Sequence, residues 1–115
     1  MTNDSTHPSA LTADQLDSFH RDGVLALPSR FSPDEVAALS DALDELTRDD
    51  VPENIREKSS GVVRSAFDLH RRHPLYERLI SDARFVVPAH QILGDDPVYA
   101  MQVKVNVKEA FTGEQ

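Results

Sequence analysis

The residues most able to do chemistry lie near the C-terminal end. From Val98 to Lys108 (VYAMQVKVNVK) apolar and polar residues alternate with a period of two, the pattern of an extended strand whose neighbouring side chains point to opposite faces. Tyr99, Met101, Val103, Val105 and Val107 fall on one side. Gln102, Lys104, Asn106 and Lys108 fall on the other, spaced by roughly 6 to 7 Å. Amide, ammonium, amide and ammonium make a row of hydrogen-bond donors with no acid until Glu109 and no serine or threonine among them. Such a set suits a dicarboxylate or a zwitterion held inside a barrel. A solvated edge strand shows the same alternation, and composition alone favours that plainer reading.

Other chemically suggestive residues carry less. His20-Arg21-Asp22 spells His-x-Asp, but it falls on a predicted helix, where residues two apart diverge by about 200 degrees around the axis and cannot chelate one ion. His20 there belongs at the helix end, favourable to the dipole when protonated. His7, His70, His73 and His90 are scattered without a metal-ligand spacing, so surface or capping roles are expected of them. Arg64, alone on a short strand, reads as the ion-pair partner of an acid such as Asp68. No cysteine is present, which rules out disulfides, thiolate metal sites and a cysteine nucleophile. No catalytic or metal-ligating residue is therefore assigned within these 115 residues.

The elements that must position the row are legible in part. Residues 1–10 are polar and turn-forming and read as a disordered leader ahead of a folded part over 11–115. Thr12 with Gln15 forms a capping box, and Leu11 with Leu16 a hydrophobic staple, so a helix runs from Ala13 to Asp22 and stops at Gly23. Val24–Leu27, closed by Pro28, suits a buried strand. Phe31, Ser32, Pro33, Glu35 and Val36 then open a second helix, with staple contact between Phe31 and Val36. Its apolar face is Val36, Leu39, Leu43 and Leu46, and its wet face carries Asp34, Asp41, Asp44 and Glu45.

Residues 49–60 read as a loop and Gly61–Phe67 as a strand. A helix reopens at His73-Pro74 with Leu75, Leu79 and Ile80 inward. Another starts at Asp82, runs through Phe85, Val86 and Ile92, and stops at Gly94, with Pro88 in its first turn or at a kink.

The totals exclude several partners. The formal net charge is −8, and it is lopsided: residues 1–50 hold 3 Lys/Arg against 11 Asp/Glu, residues 51–115 hold 9 against 9. That balance repels phosphate backbones and anionic membrane surfaces, so neither nucleic acid nor membrane is expected as a partner. There is no apolar stretch near the length of a membrane span and no signal-like start, which makes a cytoplasmic protein the default.

Gln102-Val103-Lys104-Val105-Asn106-Val107-Lys108, followed by Ala110-Phe111-Thr112-Gly113, resembles the strand and turn that precede the metal motif in the phytanoyl-CoA dioxygenase family, in particular its ectoine-hydroxylase-like members. Leu11-Thr12 through Phe19, Arg21-Asp22-Gly23, Phe31 to Val36, Val63 to Phe67 with His70, and Ala89 to Gly94 resemble the same family's N-terminal half. The resemblance implies an α+β fold, N-terminal helices plus the first strands of a jelly-roll or cupin-like double-stranded β-helix, here incomplete.

It also implies an Fe(II)- and 2-oxoglutarate-dependent dioxygenase that uses O2 to hydroxylate a small amino-acid-like or secondary-metabolite substrate. Gln102 and Lys104 would face that substrate, and Asn106 and Lys108 would lie toward 2-oxoglutarate. In the family, iron is held by His-x-Asp and a distant His, all expected beyond Gln115, so a C-terminal half or a second chain would have to supply them. Lys104 departs from the arginine of ectoine hydroxylases, which puts ectoine itself in doubt as the substrate. An alternative of another class is a non-enzymatic α+β module whose acidic helix face docks a basic partner.

Overall fold

The computed structural model describes residues 7–94 and 97–108, which divide into two compact units: 7–32 with 79–94 and 97–99, and 33–78 with 100–108. Ala110 to Gly113, part of the sequence resemblance, lie outside the described residues.

The first unit holds α1 (Ala13–Asp22) and α5 (Ala83–Leu93). Both start and stop where the sequence signals place them. Thr12 and Gln15 exchange side-chain and backbone bonds in a complete capping box, and Gly23 closes α1 in the left-handed region at φ 74°. Asp82 caps α5 by accepting from the Arg84 amide, and Arg84 returns two guanidinium bonds to the same carboxylate at 2.8 and 2.9 Å. That fork holds the Asp82 carboxyl down at about 2. Gln91 on α5 grips the buried Leu11 by both ends of its amide, accepting from the Leu11 N–H at 2.7 Å and donating to its carbonyl at 3.1 Å.

Several expectations fail in this unit. Val24–Leu27 is not a strand, and Val24 is 69% exposed: a strand exists only by pairing, and no described strand pairs with it. Phe31 packs on Phe85 at 5.4 Å with the Arg84 guanidinium 4.1 Å over its ring, an aromatic and cation–π contact. The buried side of α5 is Val87, Pro88 and His90, and Pro88 sits in the helix interior. His90 is 5% exposed, so the surface reading fails for that histidine.

The second unit holds α2 (Pro33–Thr47), β1 (Asn54–Arg56), β2 (Val63–Phe67), α3 (Leu69–Arg72), α4 (Pro74–Leu79) and β3 (Lys104–Asn106). Ala42 and Leu46 are the buried positions of α2 and Val36 is half exposed, so the packed stripe lies slightly round from the expected one. Asp34, Asp41, Asp44 and Glu45 are exposed as expected. Tyr76, not Leu75, is the buried side chain of α4; its hydroxyl donates to the Leu39 carbonyl at 2.8 Å. His73 has the expected capping role, its Nδ1 accepting from the Leu75 amide at 3.1 Å.

The sheet runs β1-β2-β3, antiparallel throughout. β1 lies inside the segment expected to be a loop. It is created by tertiary bonds: buried Asn54 donates to the carbonyls of Leu46 and Asp49 at 2.8 and 2.9 Å and accepts from Arg72 at 3.0 Å. Arg72 also donates to the carbonyls of Leu46 and Phe67. One arginine thus ties α3 to the end of α2, to β1 and to the end of β2. The register slips by one between Ile55 and Arg56, so Arg64 of β2 has no β1 partner and forms a bulge.

Candidate functional site

The three strands put two different sets of side chains on the two sides of the sheet. Ala66 pairs with both Asn54 and Val105, and residues opposite each other in a ladder share a face. Ala66 is fully buried and Asn54 reaches the end of α2, so this is the helix-covered side. Ser65 pairs with Ile55 and Asn106, and Phe67 pairs with Lys104. Those five make up the other face, on which Lys104, Asn106 and Ile55 are exposed.

Hydrogen-bond phase sharpens the contact. The Val107 amide donates to the Arg64 carbonyl at 2.7 Å and the Asp68 amide to the Val103 carbonyl at 3.0 Å. The intervening Ser65–Asn106 and Phe67–Lys104 pairs are therefore of the non-hydrogen-bonded kind, in which facing side chains come closest. Accordingly the Ser65 hydroxyl donates to Asn106 Oδ1 at 3.0 Å, and Lys104 Nζ lies 5.3 Å from the centre of the Phe67 ring.

Of the four residues singled out from the sequence, the ladder carries Lys104 and Asn106. Gln102 precedes it and lines an open hollow of about 440 Å³ with Pro52, Glu53, Phe67, Asp68 and Met101. Lys108 lies beyond it, exposed, with no side-chain partner among the described residues. The strand itself is three residues long rather than eleven, and Tyr99 and Met101 are 86% and 89% exposed. Alternation is necessary for a half-buried strand, but β2 offers only a short edge to pair with.

Sequence reasoning missed Ser65, Phe67, Glu53 and Asp68. No periodicity could have found them, because their relation to the donor row is a matter of register and of a turn. Arg64 and Asp68 do not pair: Arg64 is exposed and has no ion pair among the described residues. Four residues of strand separate their Cα atoms by about 13 Å, and Asp68 itself turns into the left-handed region at φ 57°. At the His-x-Asp of α1, Asp22 spends both carboxylate oxygens on Arg21 at 3.0 and 3.1 Å, and His20 is exposed.

The donor row, with its amides and ammonium groups in the open, fits a carboxylated co-substrate such as 2-oxoglutarate. Iron finds no such fit: among the described residues no three His, Cys, Asp or Glu side chains group as a metal site requires.

A profile of the family described as phytanoyl-CoA dioxygenase (PhyH) matches residues 19–115. The chain belongs to the phytanoyl-CoA dioxygenase family. Among curated members, an ectoine dioxygenase of Bordetella bronchiseptica is 43% identical over 110 residues, 92% of this chain and 35% of that protein. The ectoine dioxygenase of Sphingopyxis alaskensis is 37% identical over 114 residues, 96% of this chain and 37% of its own. The chain spans about a third of the length of these relatives and corresponds to their N-terminal part.

Solved structures of this family agree in fold. EctD from S. alaskensis with bound Fe superposes with a TM-score of 0.83 at 36% identity, over 97% of this chain and 41% of that one. The same enzyme with 2-oxoglutarate and 5-hydroxyectoine gives 0.82 at 38% identity, over 93% and 39%. The helices and small antiparallel sheet are thus part of a dioxygenase fold of the cupin type, as the sequence resemblance implied. No helix among the described residues is long and apolar enough to cross a membrane.

Proposed function

We propose that the protein works as an Fe(II)- and 2-oxoglutarate-dependent dioxygenase that hydroxylates a small, charged, amino-acid-like substrate, and that the open face of the β1-β2-β3 sheet supplies part of its binding wall. The observation that carries this reading is the placement of Lys104 and Asn106 on the uncovered side of the sheet, opposite the helices, in a chain of this family. When bound, iron with 2-oxoglutarate and O2 supplies the oxidising chemistry; the described residues bind and orient.

Gln102 offers an amide to the primary substrate from the hollow it shares with Glu53 and Asp68, and Lys104 offers a cation beside the Phe67 ring. Acids at one end and an ammonium at the other suit a zwitterion, whose two charges need opposite partners. Asn106 and Lys108 hold a carboxylate of 2-oxoglutarate. Lysine is a point charge where a guanidinium would form a fork. That favours a substrate close to ectoine in size and charge but differing in the group that meets Lys104.

The test uses the full-length protein with iron(II), 2-oxoglutarate, O2 and a panel of ectoine and related zwitterions, following succinate and hydroxylated product by mass spectrometry. Gln102→Ala should lower kcat/KM by roughly ten- to a hundredfold with the fold intact, the loss of one positioned hydrogen bond to a polar substrate. Lys104→Arg should change the ranking of substrates more than the KM for 2-oxoglutarate. No 2-oxoglutarate-dependent product across the panel, or an unaffected Gln102→Ala variant, would refute the assignment.

A further inference from the structure

We propose that Ser65 is a positioning residue for 2-oxoglutarate: its hydroxyl takes the acceptor end of the Asn106 amide and thereby turns the donor end toward the bound carboxylate. This rests on the reading of Asn106 as a 2-oxoglutarate residue and goes beyond it by naming what sets the polarity of that amide.

A primary amide carries an acceptor oxygen and two N–H donors at nearly the same distance from the backbone. On an exposed strand position it can rotate by half a turn and present either end, and only one end can meet a carboxylate. Asn106 is exposed, so packing does not choose the rotamer. Ser65 does choose. It is 9% exposed, it sits directly opposite Asn106 in a close non-hydrogen-bonded pair, and its hydroxyl donates to Asn106 Oδ1 at 3.0 Å.

With Oδ1 engaged on β2, the Nδ2 hydrogens remain for a ligand on the open face. The neighbouring cation, Lys104 on the same face, disfavours a cationic group at this position, so the local field agrees with the amide. The arrangement selects an anion at this position, and its polarity is held before the ligand arrives. Pre-set donors bind more tightly than donors that must reorient.

Calorimetric titration of 2-oxoglutarate into the full-length protein loaded with manganese(II) reads the effect without turnover. Ser65→Ala should weaken 2-oxoglutarate binding by roughly five- to tenfold, while the melting temperature and the KM of the primary substrate stay near those of the parent. Asn106→Ala should weaken it by a comparable factor, and adding Ser65→Ala to Asn106→Ala should change it less than about twofold, because Ser65 acts only through the amide. Ser65→Cys, close in size but a weak donor, should fall between parent and Ser65→Ala; it decides the matter if Ser65→Ala does not fold.

If the parent does not bind 2-oxoglutarate, the functional reading itself falls and takes this proposal with it. If the parent binds and Ser65→Ala or Ser65→Cys keeps parental affinity, or if the losses at Ser65 and Asn106 add independently, Ser65 has no positioning role and the functional reading stands.

Discussion

Asn54→Ala should be among the most damaging single changes in the second unit, although it removes only three heavy atoms. Asn54 is 7% exposed and its side chain makes three hydrogen bonds: to the carbonyls of Leu46 and Asp49, and from the Arg72 guanidinium. Two neutral bonds at about 1 kcal/mol each and one to a charged group at about 2 kcal/mol total about 4 kcal/mol. Part is recovered locally. The Leu46 carbonyl keeps its bond from Arg72 at 2.9 Å, and the Asp49 carbonyl keeps a long one from Arg56 at 3.3 Å. A net loss of about 2 to 3 kcal/mol remains.

Urea denaturation of the purified protein followed by far-UV circular dichroism measures that loss, since the chain has no tryptophan. Hydrogen exchange localises it: the Phe67 amide, bonded to the Glu53 carbonyl at 2.9 Å, should lose protection before the amides of α2. A cycle with Arg72→Ala should show a coupling of about 1 kcal/mol or more, because the two residues share one network. A loss below about 0.5 kcal/mol, or additive single losses, would refute the account of β1 as a strand made by the Asn54–Arg72 network.

The Asp82 carboxyl, held at about 2 by Arg84 against an ordinary 3.8, has its folded value below its unfolded one. Its contribution is therefore present above about pH 4 and lost as pH falls through about 2. With roughly a quarter of each side chain in solvent, screening reduces it to on the order of 1 kcal/mol. The stability gap between parent and Asp82→Asn should shrink from that value at pH 6 toward zero near pH 2, and a gap independent of pH would contradict it. Gly23→Ala should cost about 1 kcal/mol in a thermal melt, purely from φ 74°, since an added Cβ meets nothing within 4 Å. A neutral result there would show that the α1 cap relaxes out of the left-handed region.

Local chemistry was legible from the amino acids alone. Thr12 with Gln15, Gly23, Asp82 and Gly94 mark the ends of α1 and α5 because capping is satisfied within a few residues of chain. The acidic side of α2 follows from period. So does the alternation that separates Lys104 and Asn106 from Val105, and with the upstream order it carried the family and the α+β class. What periodicity could not reach was anything requiring a second segment. β1 reads as a loop because its strand state depends on Asn54 meeting Leu46 and Arg72, and Val24–Leu27 reads as a strand although no strand among the described residues pairs with it.

The same division runs through the candidate site. Residue types named the donors, Gln102, Lys104, Asn106 and Lys108, and what they could hold. Only the folded sheet decided which of its faces the row occupies, that Phe67 lies beside Lys104, and that Ser65 takes the acceptor end of Asn106. The reason is physical: a strand's own sequence specifies which residues share a side, whereas register with a partner strand 41 positions away in the Ser65–Asn106 pair specifies what they face.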